Sequence, residues 1–203
     1  MSEPIVIDLF VEDRAHEDLL RPLLLRIADE EAVAVQVRVR SGLGGHGRAI
    51  AEFKNYQTVV VKGGDFAGQY PNLVIVGIDG NCVTVAKKRE EIRNSTRDQF
   101  QIGLVAACPD PHVERWYLAD PESFHHVVGY RPTVGRKKCA RDHYKRVLAD
   151  AVRQAGHPPT LGGIEFAAEL VAGMDLYRAS QNDRSLKAFL DDLRGKLRQL
   201  GGQ

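Results

Sequence analysis

No run in this sequence approaches the ~20 consecutive apolar residues needed to span a bilayer. The opening Met-Ser-Glu-Pro lacks the basic and apolar regions of a secretory signal and leads straight into an apolar segment. Charge of one sign is missing too. Lys and Arg number 28 and Asp and Glu 27, a net +1, so any pull toward nucleic acid or an anionic membrane must come from local patches. Cysteine is scarce: Cys82, Cys108 and Cys139 are scattered, odd in number and form no CxxC pair. That argues against a disulfide framework and against a structural zinc site, and it predicts reduced thiols in a cytoplasmic protein. No Ser-His-Asp or Cys-His arrangement stands out, and there is no repeat or low-complexity tract.

What is present suffices for a core. The 203 residues are 43% hydrophobic and 27% charged, matching one ordinary domain or a domain with a small helical appendage. Residues 5–11 form a nearly continuous apolar run, the pattern of a strand buried on both faces. Asp13 can cap a helix over 14–31, whose stripe is Leu19, Leu20, Leu23, Leu24 and Ile27, with Pro22 predicting a kink or a late start. A valine-rich strand over 32–39 follows, then a glycine-rich turn at 41–47 and a helix near 48–56. Residues 73–78 are a second fully apolar strand, ending in Asp79-Gly80-Asn81. A helix over 83–94 and a strand over 102–107 complete the alternation. This rhythm predicts an α/β fold with a mainly parallel sheet and helices on both faces. From Pro109 the texture changes. Asp120-Pro121 starts another helix, 130–138 is a basic Pro/Gly loop, and helices are expected near 141–155, 163–172 and 183–200. The division drawn is an α/β domain over 1–130 and a helical region over 131–203, packed on the same domain.

Ligands of open parallel sheets sit beyond the carboxyl ends of the strands. Glu12 ends the first strand, Asp79 and Asn81 follow the third, and Glu114 and Asp120 lie past the next. Hard oxygen ligands converging there suit Mg2+ or Mn2+, although single acids after strands also serve as caps and turn formers. An acid at a strand end is expected to matter little to core packing. The densest basic stretch is Arg131, Arg136, Lys137, Lys138, Arg141, Lys145 and Arg146, interleaved with Tyr130 and Tyr144. It either neutralises phosphates and stacks a base or is simply a solvated loop and helix face. The turn at 41–47 can lend N–H groups to a phosphate, but Arg48-Ala49 replaces the Lys-Ser/Thr of a P-loop. The adjacent His125 and His126 cannot chelate one ion from a helix. His112 sits beside Glu114 and can support a ligand, whereas His16, His46, His143 and His157 read as surface residues.

Val11-Glu12-Asp13 after an apolar strand resembles the glutamate motif of TOPRIM domains. Residues 74–81, Val-Ile-Val-Gly-Ile-Asp-Gly-Asn, look like their DxD motif. Residues 108–120, Cys-Pro-Asp-Pro-His-Val-Glu-Arg-Trp-Tyr-Leu-Ala-Asp, resemble the E-A-W-x-L-A-D segment of small TOPRIM-like proteins related to OLD-family nucleases. That group is often linked to phage defence. The resemblance covers roughly residues 4–125 and implies a TOPRIM-like fold with a Mg2+-dependent nuclease activity, on DNA in the first instance. It gives Glu12 the role of general acid/base or metal helper, Asp79 that of first metal aspartate, and Glu114 a supporting charge. Three departures weaken it. Asn81 replaces the second aspartate, Asp13 replaces the glycine after the glutamate, and Glu17 stands one residue late. These leave a catalytically inactive binding module, or an effector gated by a partner, as the alternatives. The sequence carries no Walker A motif, and because related nucleases often work beside an ATPase, the resemblance implies a partner ATPase or other defence-system subunit.

Overall fold

The computed structural model describes residues 3–40, 44–62, 70–140 and 142–202. Four strands form one all-parallel sheet: β1 (Ile5–Val11), β2 (Val35–Val39), β3 (Leu73–Gly77) and β4 (Leu104–Ala107), in the order β2-β1-β3-β4. Ten α-helices are described: α1 (Arg14–Glu30), α2 (His46–Lys62), α3 (Val85–Asn94), α4 (Asp98–Gln101), α5 (Glu114–Tyr117), α6 (Pro121–Val128), α7 (His143–Gln154), α8 (Ala167–Gly173), α9 (Leu176–Asn182) and α10 (Arg184–Gly201). None is long and apolar enough to cross a membrane.

The alternation of β1 divides the core in two. Ile5, Ile7, Leu9 and Val11 face one side, where they join the α1 stripe, Trp116 and the apolar faces of α7, α8 and α10. Phe10 faces the other side with Val74, Val76, Phe53 and Ile92, under α2 and α3. The helices after residue 131 therefore complete the first core and share it with the sheet. Pro22 neither delays nor ends α1, which runs unbroken from Arg14 to Glu30.

Three expectations need correction, the first being that the strand expected over 102–107 forms only over Leu104–Ala107, because Ile102 still closes α4 in a helical conformation. The strand expected over 32–39 forms only over Val35–Val39, because Ala32 takes φ +53° in the turn that leaves α1. Cys82 and Cys139, expected as thiols, are disulfide-bonded across 57 residues of sequence. Their spacing carries no trace of a meeting that arises only when the loop after β3 packs against the basic loop. Cys108 alone is free, and burial pushes its thiol up to about 12.

Candidate metal centre

Chain order sets the location. From β1 the chain passes through α1 on one face to β2, then returns through α2 on the other face to β3, on the far side of β1. The switch point of the sheet thus lies between the carboxyl ends of β1 and β3, where crevices open in folds of this kind. Val11 pairs with Gly77 in register there, so Glu12 and Asp79 emerge side by side. Glu12 Oε2 accepts a hydrogen bond from the Asp79 N–H at 2.9 Å. Glu12 is further tied by its backbone, donating to Gly77 O and accepting from the Gly45 N–H at the entry to α2. That second bond occupies an N–H of the glycine turn expected to lend such groups to a phosphate; residues 41–43 lie outside the described residues.

The third member of the group is His16. One ligand atom from each of Glu12, His16 and Asp79 lies within 4.8 Å of the others. Asp13 caps α1 through the His16 N–H at 3.1 Å, and the same Oδ1 meets His16 Nδ1 at 2.8 Å. With Nδ1–H directed at Asp13, the other ring nitrogen is aimed inward. Nε2 lies 3.2 Å from Asp79 Oδ1, buried and off the line of a good hydrogen bond. This is the carboxylate–histidine arrangement that orients metal ligands. Burial alone would lower the His16 pKa, but the Asp13 hydrogen bond and the close negative charges of Asp79 and Asp13 raise it to about 10.

Asp79 is the most heavily engaged group. Its Oδ1 accepts from the Val113 N–H at 2.8 Å, and its Oδ2 meets His112 Nδ1 at 2.9 Å. Burial opposes ionisation, yet His112 and His16 hold the carboxyl well below the usual carboxylate range. His112 is raised in return, chiefly by its hydrogen bond to Asp79. The expectation that this acid matters little to packing therefore fails: Asp79 joins β3, α1 and the segment leading to α5. Gly80 belongs to the same construction, since a Cβ there would sit 2.8 Å from the carbonyl oxygen of Pro109.

The other named acids divide. Glu114 opens α5 and is buried, with Oε2 lacking a hydrogen-bond partner and Oε1 3.9 Å from Lys145 Nζ. Burial raises its pKa, and the charge of Asp79 adds to the effect, so it borders the group without joining its ligand atoms. Asn81 sits at φ +51° with its N–H on Pro111 O, and its amide turns back to Asp79 O at 3.4 Å. Asp120 is not brought in. Arg178 grips both its oxygens at 2.6 and 3.0 Å, and Ser123 and the Asp175 N–H also bind it. It anchors α9 to α6, a structural use that its strand-end position did not reveal.

Sequence reasoning missed His16 by placing it on the surface, although it is fully buried. The signal was present: His16 precedes Leu19, Leu20 and Leu23 by three, four and seven residues, which sets it on the buried stripe of α1.

The basic stretch lies next to this rim. Lys138 pairs with Asp110 at 3.2 Å and Lys145 approaches Glu114, while Arg136 and Lys137 are exposed in the loop; Arg141 lies outside the described residues. Arg131 pairs with Glu122. Tyr144 is buried and spans the loop, donating to Gly135 O at 3.0 Å and accepting from the Lys137 N–H, so it offers no face to a base. Tyr130 remains exposed. If the stretch carries phosphates, reversing charge at Lys137 and Lys138 should flatten the slope of log K against log salt for duplex DNA by about 1–2. Filter binding at several salt concentrations checks this, and an unchanged slope means a merely solvated loop.

No family model, curated protein or solved structure matches the chain.

Proposed function

We propose that the protein is a TOPRIM-like, divalent-metal-dependent nuclease whose centre is Glu12, Asp79 and His16. The carrying observation is the convergence of these three ligand atoms at the switch point of a parallel sheet. The donors fit a cation. His16 Nε2 is buried beside two carboxylates, and with Nδ1–H held by Asp13 it is the nitrogen that would give up its proton to a cation. A mixed nitrogen and oxygen set favours Mn2+ over Mg2+, which prefers oxygen ligands alone. When bound, such an ion supplies Lewis acidity to a phosphodiester and lowers the pKa of water. The residues of the chain do the rest. Glu12 spends Oε2 on the Asp79 N–H and keeps its other oxygen to accept a proton. Lys145 lies beside Glu114, and with the exposed Arg136 and Lys137 it would hold the flanking phosphates of DNA.

A second reading, a TOPRIM-fold module that binds nucleic acid without cutting it, has its own support. Both oxygens of Asp79 already have partners, and Asn81 brings no charge where a second aspartate would.

Calorimetric titration with Mn2+ and Mg2+, joined to plasmid nicking, separates the two. Wild type should bind Mn2+ more tightly and nick supercoiled plasmid. Glu12→Gln should keep the fold and lose turnover, because an amide cannot exchange the proton. Asn81→Asp loses the amide's bond to Asp79 O, which would repel a carboxylate there, so the new side chain should swing to the ion and tighten Mn2+ about tenfold. A wild-type protein that binds neither ion at about millimolar concentration leaves the binding module as the reading to keep.

A further inference from the structure

Among the described residues, strand β4 is an edge of the sheet, with β3 its one neighbour. The carbonyls of Gly103 and Ala107 accept from Val74 and Ile78 on the β3 side. By the alternation of an extended chain, Val105 faces the same way, and the N–H and C=O groups of Leu104 and Ala106 point outward. Among the described residues nothing hydrogen-bonds to those outward groups. Edges of this kind are normally blunted by charge, proline, a bulge or a covering element. The four residues of β4, Leu-Val-Ala-Ala, carry neither charge nor proline, and the neighbouring Ile102 is 77% exposed.

A groove of about 430 Å³ runs along this edge, flanked by α3 and α10 and lined in part by Leu104, Val105 and Ala106. Its charges do not balance. Arg89 on α3 pairs with Asp192 on α10 across the groove, so a strand added to β4 displaces this exposed ion pair. Asp191 is taken by Lys187 at 2.5 Å. Arg93 and Lys196, one on each rim, have no carboxylate partner among the described residues. Gly195 lines the groove from inside α10, where glycine costs about 1 kcal/mol relative to alanine. A Cβ built on it meets nothing within 4 Å, so a side chain there would project into open space.

We propose that this groove takes an extended, acidic peptide segment of a partner protein, added to β4 as a fifth strand. The ladder of Leu104 and Ala106 supplies the main-chain bonds of strand addition, and Arg93 and Lys196 select acidic side chains at the flanks. A second copy of this chain is the poorer occupant, because pairing two β4 edges brings Arg93 and Lys196 of both copies together. Nucleic acid offers no alternating N–H and C=O to the edge.

The probe is a fluorescein-labelled, end-capped heptapeptide alternating glutamate and valine, with a lysine–valine peptide as control, read by fluorescence anisotropy. The glutamate peptide should bind at least about tenfold more tightly than the control. Gly195→Phe should fill the groove and abolish binding while circular dichroism is unchanged and Tm does not fall. Arg93→Glu with Lys196→Glu should reverse the preference and serves as the second variant. Equal binding of both peptides overturns the proposal, as does wild-type affinity in a folded Gly195→Phe protein. A wild-type dimer by sedimentation that Gly195→Phe dissolves assigns the groove to a second copy and overturns it equally.

Discussion

In the Asp79→Ala protein, metal-dependent nicking should fall to background and stability should drop by about 3–5 kcal/mol. The first effect follows from losing a charged ligand at the centre of the group. The second follows from what Asp79 holds in the absence of metal. Removing its carboxylate leaves the Val113 N–H without an acceptor and the His16 imidazolium, fully buried, with Asp13 alone. Breaking one side of a buried charge pair costs far more than the pair contributes net, because the remaining charge stays desolvated. Asp79→Asn separates the two effects. Its amide oxygen can still accept from Val113, so stability should recover in part, whereas metal binding should stay lost. Urea unfolding and the nicking assay, run on both variants, give the two answers independently. Cleavage that survives Asp79→Ala places the active site elsewhere. An unchanged urea midpoint denies the buried network its energetic role.

How much of this was legible beforehand depends on range. Apolar runs such as 5–11 and 73–78 announce buried strands, and their alternation with helices leads to a parallel sheet, because these signals are local. Placing Glu12 beside Asp79 needed one further rule, that parallel strands align their carboxyl ends. His16 is just as legible in periodicity, but its polarity points to the surface and its helical phase to the core, and the phase prevails. Asp120 shows the opposite failure. Its partners Arg178 and Asp175 are 58 and 55 residues away, and no local pattern tells a salt-bridged cap from a ligand. The Cys82–Cys139 pair fails for the same reason, as does the turning of Asn81 back onto its own loop. Helices α5 and α9 are short turns fixed by tertiary contacts, with too few residues to show a period.

Above neutral pH the metal-free protein should lose stability through His16. Its pKa in the folded protein, about 10, lies above the ordinary 6.5 because Asp13 and Asp79 together outweigh the cost of burial. A raised pKa means that the folded state holds the proton more tightly than the unfolded chain does. The contribution is therefore complete below pH 6.5 and is lost as pH climbs through about 10. Asp79 works in the opposite direction. Its depressed pKa adds stability above the ordinary 3.8, and that part disappears as the solution is acidified below it. Together the two groups give a plateau between about pH 4 and 6.5 and a decline on the alkaline side. Lysines, tyrosines and thiols also titrate at high pH, so the informative quantity is the Tm of wild type minus that of His16→Gln, both in EDTA. Glutamine keeps polar atoms in the site and cannot carry the charge. The difference should be largest near pH 6 and shrink by several degrees toward pH 10, at about 2–4 °C per kcal/mol for a chain of this size. A difference that stays constant across that range would mean that His16 carries no proton for Asp79 to hold, and the electrostatic account of this centre would have to be given up.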